Sequence, residues 1–495
     1  MREITEPIEL VVGPGESPSS RWTSTAVADH VVSELSAICA TSTEVDDRVQ
    51  ASRDWWPLTM RWALRGEVPA ICTVVCRPNS TDDVARIASI CHRERVPLTP
   101  VGGRSGVCGA AIPRHGGVVL DMSAMQGVND VDDVSLVVDV RPGTFGPDLE
   151  EHLSHYGMTI GHYPQSFDIA TVGGWVACRG AGQYSTRYGK VEDMVVGLEV
   201  VLADGRIVRT GGAPAAAAGP DLTQLFLGSE GTLGIVTRVW LRAHPSPVSE
   251  RRAAYAFRDF ESGLDSCRRV MQRGGTPAVL RLYDAEESAR GRGGDGANCV
   301  LLVLDEGDVA SVDASMSIVD EEALATDGCR PLDSSLVDAW LEHRNDTSGL
   351  QALTRKNYVI DTMEIAGPWL RLAHVFHEAR RALTEAGART ASCHLSHSYT
   401  DGACLYFTFA ARPTDPDADA DFEELYRRLW DAGTRAVLSA GGNLSHHHGI
   451  GLNRAPYVRE ALGTGLDVLI AIKRALDPHG ILNPGKMGLD DAFAT

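Results

Sequence analysis

The sequence predicts an α+β protein of two domains, the second built on an antiparallel sheet flanked by helices. Three observations carry that. Residues 70–101 read strand, helix, strand and end in the turn Gly102-Gly103-Arg104-Ser105-Gly106, the arrangement of a parallel sheet that binds something at a strand end. From about residue 248 a second series of strands and helices follows two boundary prolines, Pro245 and Pro247. With 495 residues, 43% of them apolar, the chain exceeds what one core usually holds.

Each element has its own signal. Residues 1–66 read as a helical extension, with apolar spacing of helical period over 26–40 and an aromatic-rich turn at 52–57. The first domain, 67–247, opens with a buried-strand pattern at 70–76. Asn79-Ser80-Thr81-Asp82-Asp83 then starts a helix over 84–93, and 97–101 is the next strand. Strands are expected at 117–121, 136–140 and 195–202, the last turning through Ala203-Asp204-Gly205-Arg206 into 207–209. Residues 213–219 form a small-residue loop, and a Gly-rich turn at 228–234 leads into a strand at 235–241. In the second domain, 248–440, strands are expected at 251–257, 278–283, 299–304 and 404–410, and helices at 260–273, 369–386 and 422–440, with a polar turn at 413–417. The segment 441–495 holds Ser445-His446-His447-His448-Gly449, a helix over 465–476 and a closing turn at 477–480. No internal repeat is visible.

Bulk properties narrow the function classes. Sixty-six acidic against 46 basic residues give a net charge of −20, which argues against a nucleic-acid partner. No apolar run approaches the roughly 20 residues that span a bilayer. Residues 1–15 lack a basic stretch followed by an apolar core, so no secretory signal is expected, and the last four residues match no address motif. Eleven cysteines, an odd number without CxxC pairs or zinc spacing, suit free thiols in a reducing cytoplasm.

The chemistry sits in a few segments. Pro100-Val101-Gly102-Gly103-Arg104-Ser105-Gly106 is a backbone-rich cradle, since glycine lets successive amides approach an anion. Alone, such a turn is weak evidence. Pro164-Gln165-Ser166-Phe167-Asp168-Ile169-Ala170-Thr171-Val172-Gly173-Gly174, then Gly180-Ala181-Gly182, then Gly228-Ser229-Glu230-Gly231-Thr232-Leu233-Gly234-Ile235 repeat the theme of small residues and hydroxyls. His446, His447 and His448 add three imidazoles, which both donate and accept protons near neutral pH.

On these motifs, residues 69–245 resemble the FAD-binding domain of the vanillyl-alcohol-oxidase/PCMH superfamily. The resemblance implies a two-subdomain PCMH-type FAD-binding domain, completed by 441–495, with 248–440 as a cap forming an acyl-chain tunnel. It implies FAD contacts from the four segments above. Some members tether the flavin through a His in the first Gly-rich turn. Arg104 stands in that turn here, and 157–174 contains no cysteine, so FAD is expected to be non-covalent.

Within the superfamily the chain is similar to alkylglycerone-phosphate synthases over most of 69–475. Asp401-Gly402-Ala403-Cys404-Leu405-Tyr406-Phe407 nearly meets their Asp-Ala-Gly-Ala-Cys-x-Tyr-Phe pattern. Ser445-His446-His447-His448-Gly449, Gly161-His162, Glu192-Asp193 and Arg281-Leu282-x-Asp284 also match. That family exchanges the acyl group of acyl-dihydroxyacetone phosphate for a long-chain alcohol, through an adduct at the flavin N5. The resemblance implies Tyr406 as the proton-transfer residue, with a depressed pKa set by nearby cations or imidazoles. It implies Arg281, Arg344 and His162 at the substrate, and His446–His448 at the polar end of the site, at least one of them structural. A homodimer and peripheral lipid contact are implied as well. The competing subgroup is the FAD-linked D-2-hydroxyacid dehydrogenases, to which the closing segment 476–487 is similar in style. Their metal site expects a His where Tyr406 lies and a Glu where His447 lies, so no metal is expected here. The first 66 residues do not visibly match the synthases.

Overall fold

The computed structural model describes residues 4–13, 16–290, 294–415 and 418–493. Pro416 and Asp417 of the expected polar turn, and the terminal Ala494 and Thr495, lie outside them.

The first domain is built on two main sheets. One has four strands, in the order Ala40–Ser42, Val74–Arg77, Val118–Asp121, Leu98–Val101. Its last three strands are parallel, and Ala40–Ser42 joins antiparallel at the edge. The N-terminal extension is therefore more than helices: it covers an edge that Val74–Arg77 would otherwise leave unpaired. Helix Thr81–Glu94 supplies the crossover. The Ser80 hydroxyl accepts the Asp83 N–H, Asp82 and Asp83 favour the positive helix start, and Val84, Ile87, Ala88 and Cys91 are buried.

The second sheet has five antiparallel strands, ordered Ile207–Arg209, Val195–Val201, Ile235–Arg242, Val137–Val140, Val128–Asp132. The expected parallel sheet thus accounts for only part of this domain. Asp204-Gly205 is a hairpin turn, and a hairpin can only join antiparallel strands. Val128–Asp132 has no sequence signal because Val-Asn-Asp-Val-Asp is a polar, mostly exposed edge.

The second domain is one seven-stranded antiparallel sheet, ordered Arg330–Leu332, Ser249–Phe257, Cys299–Gly307, Val279–Tyr283, Thr390–Ser398, Gly402–Ala411, Val359–Pro368. Helices Phe260–Gln272, Val309–Leu324, Trp369–Glu385 and Asp419–Ala440 pack on one face. The other face packs on the first domain. Along Cys299–Gly307, Leu301 and Val303 enter the helical core, while Val300, Leu302 and Leu304 enter a core shared with Tyr184 and Tyr188. Burial on both faces explains the unbroken apolar run.

Both terminal segments tie the domains together. Trp56 Nε1 donates to Tyr426 Oη at 2.8 Å, and Trp62 Nε1 to Glu423 at 2.9 Å. Leu482 bridges to Leu98, and the buried Lys486 ammonium donates to the Ile112 carbonyl at 2.6 Å. The eleven cysteines are unpaired. Among the described residues, no helix is long and apolar enough to cross a membrane.

Candidate active site

The register of the large sheet assembles the centre of the site. Tyr406 lies opposite Glu364 on one neighbouring strand and opposite His394 on the other. His394 lies opposite Tyr283 on the next strand. Directly opposed residues share a face, so Glu364, Tyr406, His394 and Tyr283 form one row across four strands. The Tyr406 ring stacks on His394 at 4.9 Å and 14°, and its hydroxyl donates to Thr362 Oγ1 at 3.0 Å.

Arg281, two residues before Tyr283, extends the row. Its Nε donates to Tyr283 Oη at 2.8 Å and its Nη2 to His394 Nε2 at 2.6 Å. Guanidinium has no acceptor, so His394 Nε2 must accept and its Nδ1–H must donate to Glu287 at 2.9 Å. Arg281 and Arg344 flank the same indole, 5.8 and 5.7 Å from the Trp340 ring. Arg344 also lies over Tyr184 and Tyr163, and its Nη1 is buried with no hydrogen-bond partner among the described residues. Two cations on one wall, one with an open donor, have the chemistry to hold an anion.

The histidine loop is held by a residue without a sequence motif. Glu364 Oε1 accepts the N–H groups of His446, His447 and His448 at 3.2, 3.1 and 2.8 Å, and the Ser445 hydroxyl at 2.7 Å. The Arg454 guanidinium pairs with both Glu364 oxygens. Both side chains are 0% exposed. Burial alone would raise the Glu364 carboxyl, but Arg454, His448 and His447 hold it well below its usual range. Successive amides aimed at one carboxylate make a nest, and Glu364 fills it.

The imidazoles above this anchor are connected. His446 Nδ1 is 2.8 Å from His447 Nδ1, and His446 Nε2 is 2.6 Å from Tyr399 Oη. Tyr406 reaches the loop through ring contacts, 6.1 Å to His447 and 5.6 Å to His448. His397, from a β-bulge between Ser396 and Ser398 where its φ is +54°, stacks on His446 at 5.1 Å. The bulge aims the ring out of the sheet row. Burial holds His397, His446 and His447 neutral, with Lys190 reinforcing the effect at His446.

One expectation fails here. Tyr406 does not have a depressed pKa. Burial raises its phenol, and Arg281 and the Thr362 hydrogen bond only partly oppose the shift. Desolvation of the phenolate outweighs the neighbouring cation.

The Gly-rich segments pack against one another. A Cβ on Gly102 would collide with Thr171, one on Gly103 with the Ile169 carbonyl, and one on Gly231 with Pro100 at 2.5 Å. Pro100 and Val101 end a strand, and Arg104 (φ +56°), Ser105 and Gly106 follow in the loop. Pro164, Gln165, Ser166 and Asp168 lie in the facing turns, closed by Ala170 N–H donating to Ser166 O at 2.8 Å. Thr171 caps helix Val172–Cys178, placing Gly173 and Gly174 in its first turn. Gly180 and Gly182 follow that helix, and Gly182 lies against Tyr163. Thr232 accepts the buried Lys473 ammonium on its carbonyl at 2.8 Å.

Three of the residues expected at the cofactor also make contacts within the protein. The Glu230 carboxylate accepts the Ile450 and Gly451 N–H groups at 2.5 and 2.8 Å, tying the Gly-rich turn to the histidine loop. Gly234 packs on Val200, and Ile235 lies in the core with Val84 and Leu98.

Comparison with known proteins fixes the family. Residues 72–211 match the family of the FAD binding domain, and residues 246–487 match the C-terminal domain of FAD linked oxidases. The chain is 31% identical over 430 residues to YgcU of Escherichia coli K12, an uncharacterized FAD-linked oxidoreductase, covering 84% of this chain and 88% of that protein. It belongs to the FAD-linked oxidase family. Within that family it is 28% identical over 495 residues to the alkyldihydroxyacetonephosphate synthase of Dictyostelium discoideum, covering 92% of this chain and 80% of that protein. A solved alkyldihydroxyacetonephosphate synthase structure superposes with a TM-score of 0.78 at 25% identity, covering 96% of this chain and 90% of that one. The fold of this FAD-linked oxidase is thus PCMH-type, and its cofactor is FAD.

The residues present fit that cofactor. His162 is 0% exposed, lies tilted against Trp175 at 4.5 Å and has no partner for either ring nitrogen among the described residues. Burial, reinforced by Lys190, lowers it to about 3. An orphaned buried imidazole requires a polar group beside it, and flavin carries several. The Arg104 guanidinium, next to the glycine cradle, makes no ion pair among the described residues, as suits a pyrophosphate neighbour.

Glu364, His394, His397 and Tyr399 were not read from the sequence. A signal for the last three exists: Cys393-His394-Leu395-Ser396-His397-Ser398-Tyr399 is too polar for an ordinary core strand.

Proposed function

We propose that this flavoprotein exchanges the acyl group of acyl-dihydroxyacetone phosphate, or a similar phosphorylated ketone ester, for a long-chain alcohol. The product is an ether lipid precursor, with no net redox change. One observation carries the reading: Arg281 and Arg344 flank Trp340 on the wall that also carries Tyr406 and the histidine loop. A phosphate held there lies beside groups able to move protons at a ketone. FAD, when bound, supplies an electron-accepting centre for a carbanion, and we read it as non-covalent because Arg104 occupies the first Gly-rich turn.

The chain's own groups divide the remaining work. Arg281 and Arg344 bind and orient the phosphate. Tyr406 is held protonated by burial, so it acts as a donor, not as a resting phenolate. The buried neutral imidazoles offer lone pairs as bases. His162 contacts the flavin edge or the bound ester. The family resemblance suggests a homodimer, and the insoluble fatty substrates suggest peripheral lipid contact.

The test is incorporation of labelled hexadecanol into acyl-dihydroxyacetone phosphate by the purified holoprotein. Label should appear in the ether product, and Tyr406→Phe should keep FAD and lose incorporation. Absence of label with wild type, or full incorporation with Tyr406→Phe, overturns the reading. A second reading, an FAD-linked oxidoreductase of 2-hydroxyacids, is favoured by the 31% identity to an FAD-linked oxidoreductase.

A further inference from the structure

A line of hydrogen-bonding groups runs inward behind Tyr406. His447 Nδ1 lies 2.8 Å from His446 Nδ1, and His446 Nε2 lies 2.6 Å from Tyr399 Oη. Ser185 Oγ stands beside the same phenol and lies 2.7 Å from His397 Nδ1. The His397 ring then returns to 4.9 Å from His447. The His447–His446, His446–Tyr399 and Ser185–His397 pairs lie at hydrogen-bonding distance, and the Ser185 hydroxyl joins the two halves beside the Tyr399 phenol.

Such a chain has a definite proton logic. Only one proton can sit between two imidazole nitrogens 2.8 Å apart. If Tyr399 donates to His446, then His446 donates to His447, and His447 presents Nε2–H. If the order reverses, His447 presents a bare Nε2. The inner residues therefore decide whether the outer nitrogen is an acid or a base.

We propose that Tyr399, Ser185 and His397 are positioning residues, the inner half of a proton chain that switches His447 Nε2 between base and acid within one turnover. The proposal rests on the exchange reading, which requires a proton to be removed beside a ketone and one to be returned. When bare His447 Nε2 takes a proton from the substrate carbon, the His447 Nδ1 proton passes to His446 Nδ1. The His446 Nε2 proton passes to Tyr399 Oη, the phenol proton to Ser185 Oγ, and the Ser185 proton to His397 Nδ1. His447 is then neutral with Nε2–H, and one positive charge on His397 balances the carbanion left on the substrate. The reverse sequence restores both.

The surroundings keep that charge mobile. Burial disfavours a lasting imidazolium at His397, and His446, Arg281 and Lys190, which donates to the His446 carbonyl at 2.7 Å, add to the effect. Glu364 lies beneath the loop and favours charge at its outer end. One nitrogen each of His397, His446 and His447 lies within 4.8 Å of the others, so a divalent cation is the competing occupant. Lys190 and Arg281, both positive, oppose a divalent cation beside His397.

The experiment uses the holoprotein and its Tyr399→Phe and Ser185→Ala variants. Both should keep FAD content and dihydroxyacetone phosphate affinity, while the exchange rate falls about 10- to 100-fold. In mixtures of H2O and D2O the wild-type rate should curve with deuterium fraction, because several protons move together, and the Tyr399→Phe rate should be linear. Unchanged rate and unchanged curvature in Tyr399→Phe overturn the chain, as does a stoichiometric divalent metal bound by these imidazoles. If the wild type shows no exchange, the functional reading fails, and 15N-histidine NMR of the holoprotein judges the chain separately. Tyr399→Phe should then shift the tautomer signals of both His446 and His447. Unchanged signals refute the chain.

Discussion

At the residue scale, the site relies on polar groups kept neutral by burial. His162 shows the consequence most simply. Its folded pKa of about 3 lies below the ordinary histidine value, so between those values the unfolded chain binds the proton that the folded chain refuses. Stability from this position is full above about pH 6.5 and is lost as pH falls. His162→Phe keeps a ring against Trp175 and removes the titration. Relative to wild type, the apoprotein variant should gain about 2 kcal/mol on moving from pH 7.5 to pH 5, read by urea unfolding at the two pH values. An equal difference at both would show that His162 is not held neutral. Gly103 makes a steric point: any side chain there meets the Ile169 carbonyl. Gly103→Ala should purify with little or no FAD after gel filtration, and a full FAD complement would contradict the cradle.

At the element scale, two carboxylates turn loops into fixed walls. Glu364 gathers three successive amides of the histidine loop, and Glu230 gathers those of Ile450 and Gly451. Glu364→Gln leaves Arg454 buried without its counter-charge, which should cost about 3–5 kcal/mol in urea unfolding of the holoprotein. A loss below about 1 kcal/mol, the worth of a surface pair, would mean the anchor is not an ion pair. The same elements show what the sequence could and could not reveal. Residues 299–304, 404–410 and 422–440 were legible because apolar runs and helical spacing reflect burial. Val359–Pro368 and Thr390–Ser398 were not, because Asp361, Glu364, His394 and His397 interrupt the apolar pattern of a core strand. Those residues are buried for the site's sake, and their partners lie tens of residues away. Motifs located Tyr406, Arg281 and His446–His448, since each stands in a local pattern. Tyr399 and Glu364 act through sheet register and a distant loop, which no local pattern records. The raised Tyr406 pKa also escaped the sequence, since burial depth is a property of the assembled domains.

At the scale of the whole molecule, one sheet has two jobs. Its outer face builds the helical core of the second domain, and its inner face closes over the first domain and carries the row of Glu364, Tyr406, His394 and Tyr283. The N-terminal extension fastens this arrangement through Trp56, Arg61 and Trp62 to the long helix Asp419–Ala440. Trp62 is 2% exposed and packs edge-on against Trp22 and Trp56. Trp62→Ala should cost about 3–5 kcal/mol, measured by denaturant unfolding, while a change below about 1 kcal/mol would show the extension to be a loose appendage. The most direct test of the central claim is anaerobic mixing of the oxidised holoprotein with D-lactate, glycolate or D-2-hydroxyglutarate while the flavin absorbance is followed. A redox-neutral site should leave the yellow band unchanged with all three acids. Rapid bleaching by any of them would contradict the account and make this an oxidoreductase.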